Sequence, residues 1–519
     1  MQHVEMEHDR RVHVRPAGHH RHRRRALEPA DGFVRSLILT TLGAVLPGIA
    51  FIAAGRRCLG AVTLLGALTV AAGGVWLGTF GRRTAIHALV SPAALTRIGI
   101  GLIVLALVWV IIIAAGYRMV RLTDATGAQR VAGALLAVLL CMLVAAPPAA
   151  AARYAFVQRD LITAVFADGT KSATRPKAMT RDNPWAGRGR VNLLLLGSDA
   201  GSGRAGTRTD SVVVASIDTK TGDTVLFSLP RNLEGLPFPA GPLRDAYPNG
   251  YEAPGDEGEQ LLNAVYHNVP AAHPDILGPT DNLGADVLKL GVGEALGLKI
   301  DYYLMINLEG FAELVDAVGG ITVQINEWIP IGGSESSLPS SYLAPGPNQH
   351  LNGGTSLWYA RGRYGSTDYA RMKRQRCVIG SIIDAADPVT VLKRYQQLAS
   401  AAKDLVRTDI PQNLLPAFVD LSMTIKKGAV SSLVFDNHQI NAADPDYDLV
   451  RAKAAVALKP PPATEPTSGA TPGPGTRPTP SPEVIAGLAE GLDTSCAYDS
   501  VEAQKNKLQG QPPTRWRRR

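Results

Sequence analysis

Cysteine is scarce in this sequence, and its spacing argues against one common class of site. Cys58 and Cys141 lie in apolar stretches, where cysteine usually behaves as a small hydrophobic residue. No Cys-x-x-Cys pair occurs, so a structural zinc site is not expected. Cys377 and Cys496 lie in the more polar part of the chain. If that part is exported, they can form one disulfide, and two free thiols are the alternative.

Charged residues are absent from four long apolar runs in the first third of the chain. These runs cover residues 36–54, 58–80, 98–117 and 131–152. A helix of about 20 apolar residues crosses the hydrocarbon core of a bilayer. The last three runs are therefore predicted to be membrane spans. The first run contains Leu46-Pro47-Gly48 and is joined to the second only by Gly55, Arg56 and Arg57, so we interpret it as a re-entrant or interfacial arm.

The distribution of arginine predicts the orientation of these spans. The tail before residue 36 holds eight arginines and six histidines, which favours a cytoplasmic location. Three crossings then place the rest of the chain outside the cytoplasm. The same three crossings leave five further arginines inside, namely Arg56, Arg57, Arg118, Arg121 and Arg130. They leave three outside, namely Arg82, Arg83 and Arg97. The basic start is too long for a cleaved signal peptide.

The positive charge does not point to nucleic acid. The net charge is +8, and much of the excess lies in two clusters at residues 21–25 and 515–519. Clusters of this kind in tails are typical of solvated or membrane-facing segments. No helix-turn-helix signal is evident, and an exported domain could not reach DNA. We therefore expect a membrane partner and no nucleic-acid partner.

Downstream of the apolar runs, the pattern is that of a soluble α/β domain. Short apolar segments predict strands at residues 191–197, 210–217, 224–229, 302–306 and 321–325. Helices are predicted at 259–267, 286–296, 309–318, 353–361, 367–386 and 389–406. Interleaved strands and helices favour a mixed α/β layer fold. The chain is thus divided into a basic tail (1–35), a transmembrane region (36–152), a linker (153–189), the soluble domain (190–455), a Pro/Thr/Ala-rich disordered linker (456–485) and a C-terminal tail (486–519).

Charged residues stand at the ends of the first three predicted strands. Asp199 follows the first strand, Arg208 and Asp210 begin the second, and Arg231 follows the third. If the strands are neighbours, these side chains meet at one edge of the sheet. Two carboxylates with phosphate oxygens suit Mg²⁺, and guanidinium groups match phosphate oxygens. A surface salt bridge between Arg208 and Asp210 is the plainer alternative.

A second cluster lies in residues 358–376, which are dense in arginine. On a helix, Asp368, Arg371 and Gln375 share one face, and Arg374 lies beside it. A solvated basic helix is one interpretation, but the flanking apolar residues indicate partial burial. Arginines packed together repel one another and need an anionic partner. A pyrophosphate with its metal ion would be such a partner.

The ordered set of these motifs resembles the LytR–CpsA–Psr (LCP) family. The matching segments are, in order, residues 192–199 (NLLLLGSD), 208–210 (RTD), 228–231 (SLPR), 262–266 (LNAVY), 300–303 (IDYY), 311–320 (FAELVDAVGG), 351–353 (LNG) and 359–363 (YARGR), followed by Asp368, Arg371, Arg374 and Gln375. The resemblance covers roughly residues 190–386. Asn232 departs from it, since the family usually has an acid there. The multi-pass membrane region is larger than the usual single anchor and resembles an actinobacterial subgroup.

The resemblance implies a fold, an activity and a set of site residues. The fold would be a three-layer α-β-α sandwich with a hydrophobic pocket for a lipid chain. The activity would be transfer of a cell-wall glycopolymer from a polyprenyl pyrophosphate carrier to peptidoglycan, with Mg²⁺ or Mn²⁺ as cofactor. The implied metal ligands are Asp199 and Asp210. The implied pyrophosphate ligands are Arg208, Arg231, Arg361, Arg363, Arg371, Arg374 and Gln375. The implied catalytic residues are Arg208, Arg231, Asp368 and Arg371.

Three other functions stay open at this point. The same site could hydrolyse a polyprenyl pyrophosphate, with water as the acceptor. The chain could be a membrane-bound regulator without catalysis, in line with the older family label of transcriptional attenuator. It could also bind the lipid only as a scaffold, although the intact acids and arginines weigh against that.

Overall fold

The computed structural model describes residues 29–122, 124–166, 171–199, 207–334, 336–386, 406–459 and 489–514. The basic clusters at 21–25 and 515–519, most of the predicted helix 389–406 and most of the predicted linker 456–485 lie outside these residues. The chain forms two compact units. The first comprises Met1–Trp76 and Gly101–Ala150, and the second comprises Leu77–Ile100 and Ala151–Arg519.

Six helices make up the N-terminal third of the described chain. They are α1 (Pro29–Val45), α2 (Ile49–Ala53), α3 (Arg57–Thr79), α4 (Arg82–Leu89), α5 (Pro92–Val120) and α6 (Gly127–Val165). Helices α3, α5 and α6 are long and apolar enough to cross a membrane, and they contain the three spans predicted from the sequence.

The first apolar run is broken in its middle. Helix α1 ends at Val45, and α2 starts only after Pro47 and Gly48. Gly48 has a φ of 109°, which non-glycine residues rarely adopt. A Cβ atom there would also lie 2.2 Å from the carbonyl oxygen of Gly60. The chain therefore turns at Gly48, between α1 and α2, and the assignment of this run as a re-entrant or interfacial arm stays a prediction.

The second unit is built on a seven-stranded mixed sheet. Its strands are β1 (Arg190–Ser198), β2 (Thr209–Asp218), β3 (Thr224–Leu229), β4 (Tyr302–Asn307), β9 (Val406–Thr408), β10 (Val430–Val434) and β11 (Glu490–Gly491). The strand order is β11-β10-β3-β2-β1-β4-β9. Strand β1 pairs antiparallel with β2 and parallel with β4. Two smaller ladders pair β5 (Ile321–Ile325) with β8 (Gly346–Leu351), and β6 (Ile329–Ile331) with β7 (Ser341–Leu343).

Helices cover both faces of the sheet, which confirms the three-layer architecture. On one face, the side chains of α7 (Pro242–Ala246), α8 (Leu262–Ala272), α9 (Leu283–Leu296) and α14 (Tyr447–Ala457) form a core with the sheet. On the other face lie α10 (Leu308–Val318), α11 (Gly353–Arg361), α12 (Asp368–Ala385) and α13 (Leu415–Ile425). The layers form because the central strands are apolar on both sides, as in Leu194 and Leu195 of β1.

The segment expected to be a linker is partly folded onto the domain. Helix α6 continues to Val165, beyond its apolar part. The carboxylate of Asp286, which is 1% exposed, accepts hydrogen bonds from Ser172, Thr174 and the backbone N–H of Ala173. Residues 171–174 are therefore tied to α9.

The C-terminal tail also contains folded structure. Helices α15 (Leu492–Ser495) and α16 (Ser500–Gln509) follow β11, which pairs with β10 at the edge of the sheet. A disulfide joins Cys496 to Cys377 of α12, with 5.6 Å between the Cα atoms. Of the two alternatives left by the sequence, the structure therefore contains the disulfide. Cys58 and Cys141 are free thiols in the described chain.

Candidate active site

An apolar cavity lies between the central strands and the helices of one face. Its volume is about 290 Å³. Strands β1, β2 and β4 form one wall, and α10, α11 and α12 form the other. The apolar lining includes Leu195, Val213, Leu304, Phe311, Ile379 and Ile383. Polar side chains also line it, namely Asp199, Asp210, Arg361, Arg371 and Gln375. The cavity thus has a mainly apolar lining and a charged end, which lies where β1 ends and β2 begins.

A network of ion pairs surrounds the charged end. Arg231 is central to it, since its Nη1 donates to Asp210 Oδ1 at 3.0 Å and its Nε donates to Asp368 Oδ2 at 3.0 Å. The other carboxylate oxygen of Asp368 lies 3.5 Å from Arg363 Nη1 and 3.7 Å from Arg371 Nη2. Arg371 Nη2 also donates to the backbone carbonyl of Asp210, at 3.4 Å.

The fold explains why these residues meet. Strands β2 and β3 are antiparallel with Val212 opposite Leu229, so the start of β2 and the end of β3 lie at the same edge. Asp210 and Arg231 stand at this edge. Helix α12 begins with Thr367 as its N-cap, whose hydroxyl accepts the backbone N–H of Ala370. This cap places Asp368 in the first turn, where a carboxylate is favoured by the helix dipole.

The electrostatics of the network favour an anionic ligand. Burial by itself raises the pKa of Asp368, but Arg371, Arg231 and Arg363 outweigh it and hold that pKa below its ordinary value. Arg371 is only 3% exposed, and burial lowers the pKa of its guanidinium. Its Nε has no hydrogen-bond partner among the described residues. A buried, incompletely bonded cation at a cavity wall is costly unless an anion joins it.

The two arginines of the segment 361–363 stand at different places. Arg361 lines the cavity, and its guanidinium carbon lies 5.0 Å from the centre of the Trp358 ring. This distance suits a cation–π contact. Arg363 is more exposed, and its Nη1 lies 3.5 Å from Asp368 Oδ1. Gln375 also lines the cavity, and its Nε2 donates to the carbonyl of Ala360.

Arg208 lies apart from the network. Its Nη1 donates to the carbonyl of Gly258 at 3.0 Å, and its Nη2 forms an ion pair with Glu259. The second carboxylate oxygen of Glu259 accepts a hydrogen bond from Asn268. Among the described residues, Arg208 pairs with Glu259 and not with Asp210. Its assignment as a pyrophosphate ligand stays a prediction. Sequence reasoning did not find Glu259, which no local pattern links to Arg208.

Arg374 also lies away from the charged end of the cavity, and this corrects the expectation that it faces a ligand with Arg371. Its side chain is 5% exposed and points to α11 and the following loop. Its Nε donates to the carbonyl of Tyr359, its Nη2 donates to the carbonyl of Gly362, and its Nη1 donates to Glu327. Arg374 lies three residues after Arg371, beside the face of α12 that carries Arg371, and its side chain points away from the cavity.

The carboxylates of Asp199 and Asp210 both line the charged end. Asp199 Oδ1 accepts the backbone N–H of Arg208 at 3.0 Å. Among the described residues, no group of three or more His, Cys, Asp or Glu side chains is placed to hold a metal ion. Mg²⁺ needs fewer protein ligands, because one or two carboxylates commonly suffice together with substrate phosphates and waters. The donor set therefore fits Mg²⁺ better than a metal that requires a complete protein cage.

The sequence of the chain is similar to those of several known proteins. The chain is 30% identical over 271 residues to "Biofilm regulatory protein A" of Streptococcus mutans, covering 50% of this chain and 60% of that protein. It is 30% identical over 223 residues to the "Polyisoprenyl-teichoic acid--peptidoglycan teichoic acid transferase TagU" of Enterococcus faecalis, covering 42% of this chain and 61% of that protein. The chain thus spans about three fifths of the length of these curated relatives.

Among solved structures, it is similar to TagV of B. subtilis, with 22% identity over 52% of this chain and 97% of that one, and a TM-score of 0.36. A sequence model described as the LytR_cpsA_psr family matches residues 161–457, which is more than half of the 519 residues. The family that the motifs indicated is thereby confirmed, and the chain belongs to the LytR–CpsA–Psr family.

Proposed function

We propose that this protein is a phosphotransferase that moves a glycopolymer from a polyprenyl pyrophosphate carrier to peptidoglycan at the outer face of the cell membrane. One observation carries the proposal, namely an apolar cavity that ends at a network of three arginines and two aspartates. A polyprenyl pyrophosphate has the same two parts, a long apolar chain and a dianionic or trianionic head. The relatives named as teichoic acid transferases support the same class of reaction.

The charged end suits the pyrophosphate better than it suits another anion. Arg371 offers an unpaired Nε beside the cavity, and Arg361 lines it from α11. Guanidinium groups bind phosphate oxygens through paired donors in one plane. Asp368 and Asp210 hold Arg231 from two sides, so that its orientation is fixed before the substrate arrives. Donors fixed in advance stabilise developing charge without a cost of reorganisation.

The proposed reaction exchanges one phosphorus–oxygen bond for another. A hydroxyl oxygen of the acceptor attacks the phosphorus that carries the glycan, and the bond from that phosphorus to the bridging oxygen breaks. The products are a phosphodiester-linked glycopolymer and the polyprenyl monophosphate, whose new negative charge faces Arg231 and Arg371. The proton of the hydroxyl leaves to solvent or to a phosphate oxygen. Asp368 is a poor base, since its pKa is held below its ordinary value.

We further propose that Asp199 and Asp210 hold Mg²⁺, or Mn²⁺ in its place, against the pyrophosphate. A bound divalent ion would supply Lewis-acid stabilisation of the phosphate oxygens. Asp210 Oδ1 is engaged by Arg231, which leaves its other oxygen for an ion. Asp199 lines the same end of the cavity as Asp210, and its Oδ1 accepts a hydrogen bond from the backbone N–H of Arg208.

The location rests on the three apolar helices and on the arginine distribution. Helices α3, α5 and α6 would cross the membrane and leave the domain outside the cytoplasm. Helix α4 lies between α3 and α5 in the chain and is bound to α13, because Arg83 and His87 both contact the carboxylate of Asp420. This contact requires the segment after α3 to be on the same side of the membrane as the domain. Two crossings, one by α5 and one by α6, give the same result.

The decisive experiment uses the full chain in detergent with a short-chain polyprenyl pyrophosphate-linked sugar and Mg²⁺. Release of the polyprenyl monophosphate is measured for the unaltered chain, for Arg231→Ala and for Arg371→Ala. We expect each substitution to lower kcat/KM by about 100-fold or more, the scale of a lost oxyanion-type donor. Arg244→Ala is the matched control, because Arg244 pairs with Glu294 on the other face of the sheet and should leave the rate unchanged.

Peptidoglycan fragments and a chelator then separate the competing functions. Product joined to the fragments supports transfer. Release that is equally fast without fragments, with no joined product, supports hydrolysis instead. If the lipid binds but the unaltered chain releases nothing with acceptor and metal present, a binding or regulatory function replaces the proposed one. Loss of activity on chelation, restored by Mg²⁺ or Mn²⁺, would support the metal, and activity that persists would contradict it.

A further inference from the structure

The last helices and strand that the structure describes, in residues 490–509, lie beyond the family match that ends at residue 457. We call this part of the chain the C-terminal segment. It consists of β11, α15 and α16. It is bound to the domain covalently through Cys496 and Cys377 and by the pairing of β11 with β10. Leu492 is 6% exposed and belongs to the core that includes β1, β2 and β4. The segment is therefore part of the folded domain.

The C-terminal segment holds the short connection between β5 and β6. The side chain of Asn326 donates to the carbonyl of Ala497 at 3.1 Å and accepts from the backbone N–H of Asp499 at 3.0 Å. The side chain of Asn506 donates to the carbonyl of Asn326 at 2.9 Å. The indole N–H of Trp328 donates to the carbonyl of Asn506 at 3.0 Å. Four hydrogen bonds thus fix the residues on both sides of Glu327.

Glu327 connects this contact with the candidate active site. Its Oε1 accepts a hydrogen bond from Arg374 Nη1 at 2.7 Å. The other donors of Arg374 hold the carbonyls of Tyr359 and Gly362. Those carbonyls flank Arg361, and Gly362 precedes Arg363. A guanidinium is a planar group with donors in fixed directions, so its three acceptors fix one another's positions.

We propose that the C-terminal segment is a positioning element of the pyrophosphate site, which acts through Glu327 and Arg374 on the end of α11 and the loop that follows it, where Arg361 and Arg363 lie. The inference rests on the proposed function, because it assigns those two arginines to the substrate. Glu327, Arg374 and Cys496 also line a cavity of about 210 Å³, so there is open space beside the Glu327 side chain. The Glu327 side chain is 41% exposed. When the connection loosens, Glu327 has space to leave Arg374.

Misplacement of the loop should affect the reaction more than the stability. A shift of about 1 Å in groups that bind the reacting centre can cost on the order of 100-fold in rate. The disulfide and the β10–β11 pairing remain when the Asn326 side chain is removed, so the fold itself should persist. Arg374 is thus assigned as a positioning residue rather than as a ligand of the pyrophosphate.

The test is a double-mutant cycle on kcat/KM for polyprenyl monophosphate release by the full chain. Asn326→Ala removes the two side-chain bonds to the C-terminal segment, and Glu327→Gln weakens the hold on Arg374. We expect each to lower kcat/KM by about tenfold, with Asn326→Ala having little further effect in the Glu327→Gln background. Additive losses would mean that the segment does not act through Glu327. The control is Leu508→Ala, which removes an 80% exposed side chain from the same segment.

A second pair of variants guards against loss of folding. Asn506→Ala removes a single hydrogen bond and leaves the disulfide, and we expect a smaller loss in the same direction. Arg374→Lys keeps the charge but loses the planar donors, so it should resemble Glu327→Gln. Unchanged kcat/KM in Asn326→Ala and Asn506→Ala, with an active unaltered chain, would overturn the inference. An inactive unaltered chain would instead overturn the proposed function.

Discussion

Asp368 is the residue on which the arginines of the site depend. Its carboxylate contacts Arg231, Arg363 and Arg371, which come from the end of β3, from the loop before α12 and from α12 itself. Without it, three cations would remain near one another at a half-buried site. The carboxylate therefore both stabilises the fold and spaces the donors that face the cavity.

We expect Asp368→Asn to lower the free energy of unfolding by about 1–3 kcal/mol at pH 7, the scale of lost hydrogen bonds to charged groups. The pKa of Asp368 is lower in the folded chain than its unfolded value of about 3.9. Its contribution is therefore present above about pH 4 and is lost as the pH falls through the folded pKa. Thermal unfolding of both chains between pH 7 and pH 3 measures the difference.

The difference in the free energy of unfolding between the unaltered chain and Asp368→Asn should become smaller as the pH falls. A gap that stays constant down to pH 3 would show that the charge of Asp368 is not the source of the stability. Asp448→Asn serves as the control, since Asp448 forms an ion pair with Arg451 at the surface with its side chain 91% exposed. Exposed pairs of this kind contribute little.

The sequence predicts some of these residues well and others poorly, for a physical reason. Asp210 and Arg231 were expected near each other because they stand at the ends of neighbouring strands, and Asp368 and Arg371 because they share one face of a helix. The family resemblance placed the two pairs in one site. Arg208 and Arg374, which the resemblance implied as pyrophosphate ligands, form ion pairs with Glu259 and Glu327. Glu259 is 51 residues from Arg208, and Glu327 is 47 residues from Arg374. The direction of a long side chain is set by its partner, and no local sequence pattern reveals a partner that is so distant in the chain.

Among the elements, α4 is the one whose packing was least expected. The sequence suggested only a short loop between two spans at this place. The structure forms an eight-residue helix, and its Arg83 and His87 bind Asp420 of α13. Burial alone raises the pKa of Asp420, but the hydrogen bonds from Arg83 and His87 outweigh it and lower that pKa. The loop is thus attached to the domain through one carboxylate.

We expect Asp420→Asn to loosen α4 without unfolding the domain. Hydrogen exchange of the α4 amides at pH 7 should become about two- to fivefold faster, the range that loss of a weak surface ion pair supports. Mass spectrometry of the full chain in detergent measures it. Asp160→Asn is a suitable control, because the side chain of Asp160 is 56% exposed and pairs only with its neighbour Arg159. Unchanged exchange in α4 would mean that apolar packing alone holds it.

The secondary structure was predictable where apolar segments are long and bounded by turn residues. Strands β1 to β4 and helices α10 to α12 were all expected, with ends shifted by a few residues. Helix α9 starts earlier than expected because Asn282 caps it, accepting the backbone N–H of Ala285. Strand β10 contains two serines, and β11 has only two residues, so neither carries a strand pattern of its own. These edge strands form because the existing sheet offers them partners.

At the scale of the whole molecule, two observations support the proposed membrane topology. The arginine distribution predicts that the tail and the loop at residues 121–126 are inside. The contact of α4 with Asp420 requires the loop after α3 to share a side with the domain. With the tail inside and the domain outside, the broken arm of α1 and α2 does not cross, because a fourth crossing would bring the tail to the side of the domain.

Single cysteines report this directly in a chain with Cys58→Ser and Cys141→Ser. We expect Thr84→Cys in α4 to react with a membrane-impermeant maleimide on intact cells, because it is exposed on the outer side. Asp124→Cys and Ala17→Cys should react only after the cells are made permeable. Cys377 and Cys496 do not interfere while their disulfide is intact. Labelling of Ala17→Cys on intact cells together with Thr84→Cys would mean that the arm crosses the membrane. Labelling of Asp124→Cys instead of Thr84→Cys would place the domain, and with it the candidate active site, in the cytoplasm.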